Sequence, residues 1–218
     1  GKKITVIGSY AFEGNNTIKE VKFNSNLTRI DMGAFNNCSS LERLEIPSTI
    51  KTIESGQFGS QYTFGDCENL KTVVIGNGLT YIPQNMFRNN VSLESVTIGN
   101  GVKTIGDYAF YGCTKLKTIK FGNGVKSIGD YAFYYCENLT SIVFPNNLQG
   151  IGDFAFNNCS GLRNISFNGN LETIGRGAFN SCSSIEKIVI PDSVKTIESG
   201  QFGSQYTFGD CENLKTVV

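Results

Sequence analysis

Histidine is absent from this 218-residue chain, and so is tryptophan. The first absence removes the commonest general base and the commonest metal ligand together. Proline is scarce, 4 residues against 25 glycines, so turns must rest mainly on glycine and asparagine. Net charge is missing as well: 19 basic residues balance 19 acidic ones without a long basic run, which argues against nucleic acid as a partner. No apolar stretch approaches the ~20 residues of a membrane span, so no membrane insertion is expected. No charged-then-apolar leader opens the chain, which reads as a mature or excised segment. The 7 cysteines are odd in number and none forms a C-x-x-C pair, so neither a closed disulfide framework nor a zinc ribbon is indicated.

What the chain does have is one unit repeated. "TIGDYAFYGCTKLKTIKF" (Thr104 to Phe121) is followed by "SIGDYAFYYCENLTSIVF" (Ser127 to Phe144). Anchor isoleucines stand at Ile7, Ile30, Ile53, Ile82, Ile105, Ile128, Ile151, Ile174 and Ile197, in steps of 23 residues with a single step of 29. A phenylalanine follows each anchor by five residues, at Phe12, Phe35, Phe58, Phe87, Phe110, Phe133, Phe156, Phe179 and Phe202. Further apolar columns run through Leu116, Leu139 and Leu162, through Ile119, Ile142 and Ile165, and through Val102, Val125 and Leu148. A fixed period of this length marks a solenoid, in which each unit buries its apolar residues only by stacking on its neighbours. Within a unit, "LKTIKF" alternates apolar and polar residues as a short strand does. "GNG" or "PNN" then turns the chain, "VKSI" is a second extended piece, and "GDYAFYGC" is expected to form a helical or 3₁₀ turn capped by Asp107. Stacked ~4.8 Å apart, nine units span roughly 40 Å.

"LTSIVFPNNLQGIGDFAFNNC" (Leu139 to Cys159) resembles the repeat of the BspA-like class of leucine-rich repeat proteins, and the resemblance runs through the whole chain. It implies an α/β repeat solenoid, a right-handed horseshoe or curved rod with a parallel β-sheet on one face and short strand, 3₁₀ or helical turns on the other. Residues 1–218 then form a single leucine-rich-repeat domain of about nine units of 23 residues, units three and nine carrying a six-residue insertion. No polar capping repeat closes the array, so a fragment of a longer one is expected. Departures are local: Asn15 replaces the cysteine of the first unit, and Pro83, Met86 and Asn90 distinguish the fourth.

Periodicity also disposes of the apparent active sites. Cys38, Cys67, Cys113, Cys136, Cys159, Cys182 and Cys211 occupy one column, so a catalytic reading would demand seven equivalent centres without a histidine. Buried free thiols at a tight turn are expected instead. Asp107, Asp130 and Asp153 form a short acidic ladder, read as turn caps rather than a cation site because Arg176 takes the next place. The G-N-G triplets at Gly76, Gly99 and Gly122 lack the Lys-Ser pair that a phosphate-cradling loop needs. Scattered single carboxylates do not make the facing pair of a glycosidase, and no enzyme and no cofactor are expected.

Function should therefore reside in what varies. The outward strand rows, such as Thr118, Ser141 and Asn164, are polar and lack aromatic anchors. Three successive units gather Tyr108, Tyr111, Tyr131, Tyr134, Tyr135 and Phe154. Tyr108, Tyr131 and Phe154 are read as covering the core edge, whereas Tyr111, Tyr134 and Tyr135 are candidate ligand contacts, tyrosine being common in interaction hot spots and able to stack on sugars. The insertions in "GQFGSQYTFGDC", at 56–67 and 200–211, supply Tyr62, Phe64, Tyr206 and Phe208, which either project as a binding loop or fold back as a local plug. Residues 51–74 and 195–218 are identical, 144 apart, so a duplicated six-unit block is expected. The resemblance implies a non-catalytic interaction or adhesion module, extracellular or at a cell surface, whose ligand is a protein or glycan, host extracellular matrix among the options. The alternative is a structural spacer that displays another domain of a larger surface protein.

Overall fold

A computed structural model describes residues 3–167, 169–200 and 205–218. Short parallel strands recur along two columns of the units, and where they pair they stack in register with the next unit. The anchor pieces Tyr81–Ile82, Thr104–Ile105, Ser127–Ile128, Gly150–Ile151, Thr173–Ile174 and Thr196–Ile197 form a six-stranded sheet. Ile105 pairs with Ile128 and Ile128 with Ile151, so the spacing of the sequence is the register of the sheet. A second sheet joins Arg43–Ile46, Thr72–Ile75, Ser95–Ile98 and Thr118–Lys120, and its column continues in Ser141–Val143 with Asn164–Ser166 and Lys187–Ile188 with Thr216–Val217. Along Arg43–Ile46 exposed and buried residues alternate, because a strand turns successive side chains to opposite faces.

The third side of the solenoid departs from the expected α/β pattern. Among the described residues there is no α-helix, 3₁₀ conformation is confined to Gly59–Gln61 and to Gln205 in the two insertions, and "GDYAFYGC" forms tandem tight turns. Two left-handed residues per unit explain this: φ is +57° at Tyr108 and +72° at Gly112, +56° at Tyr131 and +61° at Tyr135, +55° at Phe154 and +58° at Asn158. A right-handed helix cannot pass through such residues. Their amides are satisfied sideways instead. Tyr108, Phe110 and Gly112 donate to the carbonyls of Asp130, Ala132 and Tyr134 one unit on, at 2.8–2.9 Å. The molecule is thus a parallel β-solenoid whose turn face carries its own inter-unit hydrogen-bond ladder.

The core is a spine of rings. Phe12, Phe35, Phe64, Phe87, Phe110, Phe133, Phe156, Phe179 and Phe208 stack in succession, with centroids 5.0–5.9 Å apart and planes within 17°. The third rung is therefore Phe64 and not Phe58, which is 71% exposed. The ninth is Phe208; Phe202 lies outside the described residues. The six extra residues precede the ring, and Phe64 keeps the three-residue step to Cys67 that Phe35 keeps to Cys38. The unit before each insertion carries a left-handed glycine: Gly177, at φ +58° where other units place Tyr, Phe or Asn, donates to Gln205 O at 3.0 Å, and Gly33 holds the matching place ahead of the first insertion.

Candidate functional site

The cysteine column is structural. All seven are free, six fully buried and Cys211 half-buried. Each thiol donates to the carbonyl of the spine phenylalanine one unit back, as Cys136 Sγ does to Phe110 O at 3.6 Å and Cys182 Sγ to Phe156 O at 3.2 Å. In the fourth unit Asn90 does the same work, donating from Nδ2 to Phe64 O at 2.9 Å while Oδ1 accepts from the Cys67 amide at 2.8 Å. Burial pushes the thiols up, Cys38 and Cys211 to about 11 and Cys113 to about 12, away from the thiolate a nucleophile needs.

The acidic ladder is also an inter-unit device. Asp107 Oδ1 accepts the Asp130 amide at 2.9 Å, Asp130 Oδ1 the Asp153 amide at 2.7 Å, and Asp153 Oδ1 the Arg176 amide at 2.8 Å. The carboxylates therefore cap the next unit rather than their own turn. Arg176 closes the ladder by donating Nε and a terminal nitrogen to Asp153 Oδ2, at 2.8 and 2.5 Å. Asp130 is held above the usual carboxylate range, first by desolvation and then by Asp107 and Asp153, against an opposing amide bond from Asp153. Among the described residues no three His, Cys, Asp or Glu side chains gather to hold a metal.

Beside that ladder lies the aromatic cluster. Tyr108, Tyr131 and Phe154 stack at 4.8 and 4.9 Å, Tyr111 stacks on Tyr134 at 5.2 Å, and the two files lean together where Tyr131 meets Tyr134 at 5.4 Å. Tyr135 stands on edge to Tyr134, 4.4 Å away at 83°, and is the one ring of the six without a parallel neighbour. At the near end Arg88 lays its guanidinium over Tyr111, Tyr108 and Tyr62, at 4.2, 5.3 and 5.7 Å. Stacking turns most ring faces towards one another, so the cluster offers edges and hydroxyls rather than the open faces that sugar stacking uses. Burial, the bond to Tyr135 and nearby phenols raise the Tyr134 phenol to about 12, so it is a neutral hydroxyl near pH 7.

Of the seven residues singled out by sequence, the structure brings Tyr111, Tyr134 and Tyr135 together at the surface. Tyr206 is exposed on the second insertion, outside ring contact with them. Tyr62 and Phe64 are buried and Phe208 is the half-buried last ring of the spine, so these three fold back instead of projecting. In the first insertion Phe58 is the residue that projects. The cluster's arginine, Arg88, went unread in the sequence, although it occupies the column of Tyr111 and Tyr134.

Known proteins carry the same pattern. The family model described as "BspA type Leucine rich repeat region (6 copies)" matches residues 1–99, 60–137 and 80–215. The chain is similar to the leucine-rich repeat protein TpLRR of T. pallidum, at 32% identity over 67% of this chain and 68% of that one, with a TM-score of 0.61. A leucine-rich repeat protein from Eubacterium ventriosum shares the fold at 22% identity and a TM-score of 0.57, covering 98% of this chain and 69% of that one. So does the pneumococcal vaccine antigen PcpA, at 21% identity and 0.52, over 98% and 60%. No curated protein matches.

Proposed function

This chain belongs to the BspA-type leucine-rich repeat family, and from that premise we propose that it is a non-catalytic interaction module, extracellular or at a cell surface, which binds a partner protein through its turn face. The observation that carries this reading is the aromatic cluster of Tyr108, Tyr111, Tyr131, Tyr134, Tyr135 and Phe154, half-buried or exposed on three successive turns. Those rings are not what holds the solenoid together, since the fully buried Phe110, Phe133 and Phe156 of the spine and the two sheets run beneath them. Stacked amphipathic rings with hydroxyl tips are the composition of a protein-binding hot spot, and they favour a protein over a glycan because so few ring faces are free. The strand rows of the second sheet, with Thr118, Ser141 and Asn164, offer no comparable anchor.

The test is adhesion of the purified chain to immobilised matrix proteins and to cells. Replacing Tyr111, Tyr134 and Tyr135 together by alanine should abolish binding and leave the unfolding midpoint near that of the parent. Adhesion that survives the triple replacement, or that is lost instead by replacing Thr118 and Ser141, would place the function elsewhere.

A further inference from the structure

We propose that the middle of the turn face receives an extended arginine-bearing segment of a partner protein, Asp130 taking guanidinium hydrogen bonds and the exposed ring of Tyr135 a stacked guanidinium. The proposal rests on the reading of the turn face as the binding face and adds the chemistry of the partner. The molecule itself supplies the precedent, because arginines of this chain already occupy both ends of the strip. Arg88 stacks on Tyr108 and Tyr111 at one end, and Arg176 makes a two-pronged bond to Asp153 at the other. Planarity and a fork of donors suit guanidinium to both tasks; lysine, a point charge, neither lies flat on a ring nor bonds a carboxylate in two prongs, and performs both less directionally.

Between those ends the equivalent groups have no cation of their own. Asp130 is exposed, and its Oδ1 accepts the Asp153 amide while Oδ2 has no hydrogen-bond partner among the described residues. No ion pair joins it among the described residues; Asp107 and Asp153 flank it with like charge, and Arg176, committed to Asp153, acts on it only through space. Tyr135 is 37% exposed and carries no parallel ring, its column neighbours being Gly112 and Asn158. A bound guanidinium would relieve the repulsion on Asp130 and cover the last uncovered ring. Edges and hydroxyls of Tyr131 and Tyr134 would line the path between them.

Fluorescence anisotropy with short labelled peptides tests this, using sequences in which serine alternates with arginine, with lysine or with glutamate. Arginine peptides should bind best, lysine peptides at least several-fold more weakly, and glutamate peptides not at all, with affinity falling as salt rises. Asp130→Asn keeps an oxygen for the Asp153 amide, so it should fold normally and still weaken arginine binding about tenfold, about 1.4 kcal/mol. Tyr135→Ala should do likewise, whereas Glu45→Gln on the strand face should change nothing. Equal binding of glutamate peptides, or indifference to both strip variants, overturns the proposal. Should a matrix protein lose adhesion with the tyrosine triple variant while arginine peptides neither bind nor compete, the turn face stands as the binding face and the arginine chemistry falls.

Discussion

A single side chain in this fold is judged by what it gives the unit next to it. The thiol of Cys136 fills a small buried place and donates to Phe110 O, and Asn90 shows that an amide can take the same role in the neighbouring column position. Cys136→Ala should remove one of the two bonds that Phe110 O accepts, the other coming from Cys113 N at 3.3 Å, and cost about 0.5–1.5 kcal/mol in denaturant unfolding, whereas Cys136→Asn should cost less despite being the larger change. An alanine variant as stable as the parent would reduce the thiol to mere filler. The same burial ties stability to pH. Cys113 stays protonated in the fold up to about 12, against an ordinary value of 9.0, so above 9 the unfolded chain holds fewer protons than the folded one. Stability is then fully present below about 9 and declines above it, at up to about 1.4 kcal/mol per pH unit for each buried thiol. Unfolding midpoints measured from neutral to alkaline pH should show that decline, and replacing Cys113 by Asn should lessen it by one thiol's share. The stacked phenols of Tyr108 and Tyr131 are raised too, by desolvation first, and add a decline of the same sign only above their ordinary value of 10.0, so the onset between pH 9 and 10 reports the thiols.

At the scale of the element, the strands and their register were legible in the sequence because a fixed period is itself a register: Ser127 pairs with Thr104 and Gly150 with Ser127 as the spacing requires. The turn face was not, and the reason is local. A stretch such as "GDYAFYGC" has the composition of a helical turn, and nothing in the letters Tyr108 or Tyr131 announces a left-handed backbone, which tyrosine adopts only when neighbouring units hold it there. The insertion was ambiguous for another reason, since both Phe58 and Phe64 can be aligned with the spine by removing six residues. A further column decides between them. A fully buried alanine precedes most rings, as at Ala34, Ala109 and Ala132, and the apolar Met86 precedes Phe87; Thr63 is fully buried in that place, whereas Gln57 is exposed and would have to bury its amide there. Deleting residues 55–60 should therefore keep a native solenoid with Phe64 in the spine. Deleting 59–64, which restores the same spacing, forces Gln57 into the alanine column and should lower stability by at least ~1–3 kcal/mol more, as overpacking and a buried amide require. Equal stability of the two deletions in chemical denaturation would show that the insertion has no fixed side.

Over the whole molecule, coupling between units is what makes the rod one object, and it is not uniform. Elsewhere the residue after each anchor donates to the previous anchor carbonyl, as Gly106 N does to Ile82 O at 2.8 Å and Glu54 N to Ile30 O at 2.9 Å. In the fourth unit that residue is Pro83, which has no N–H to give. The anchor sheet accordingly divides, Val6–Ile7, Arg29–Ile30 and Thr52–Ile53 on one side and the six strands from Tyr81–Ile82 onward on the other. Other connections still cross the gap: pairing of Thr72–Ile75 with Ser95–Ile98, the turn-face bonds from Phe64 N to Met86 O and Asp66 N to Arg88 O, the two bonds of the Asn90 amide, and the stacked rings Phe64 and Phe87. In a stacked array stability is a sum of unit and nearest-neighbour interface terms, so weakening the thinnest interface should cost cooperativity before it costs structure. Phe64→Ala and Phe133→Ala remove equivalent rings, each worth about 3–5 kcal/mol. Phe64→Ala should split unfolding into two transitions, with hydrogen exchange faster in residues 3–53 than beyond 82, while Phe133→Ala should lower the midpoint of a transition that stays single. If both variants melt in one step with the same profile of exchange, the second sheet alone carries the coupling and the break at Pro83 has no mechanical consequence.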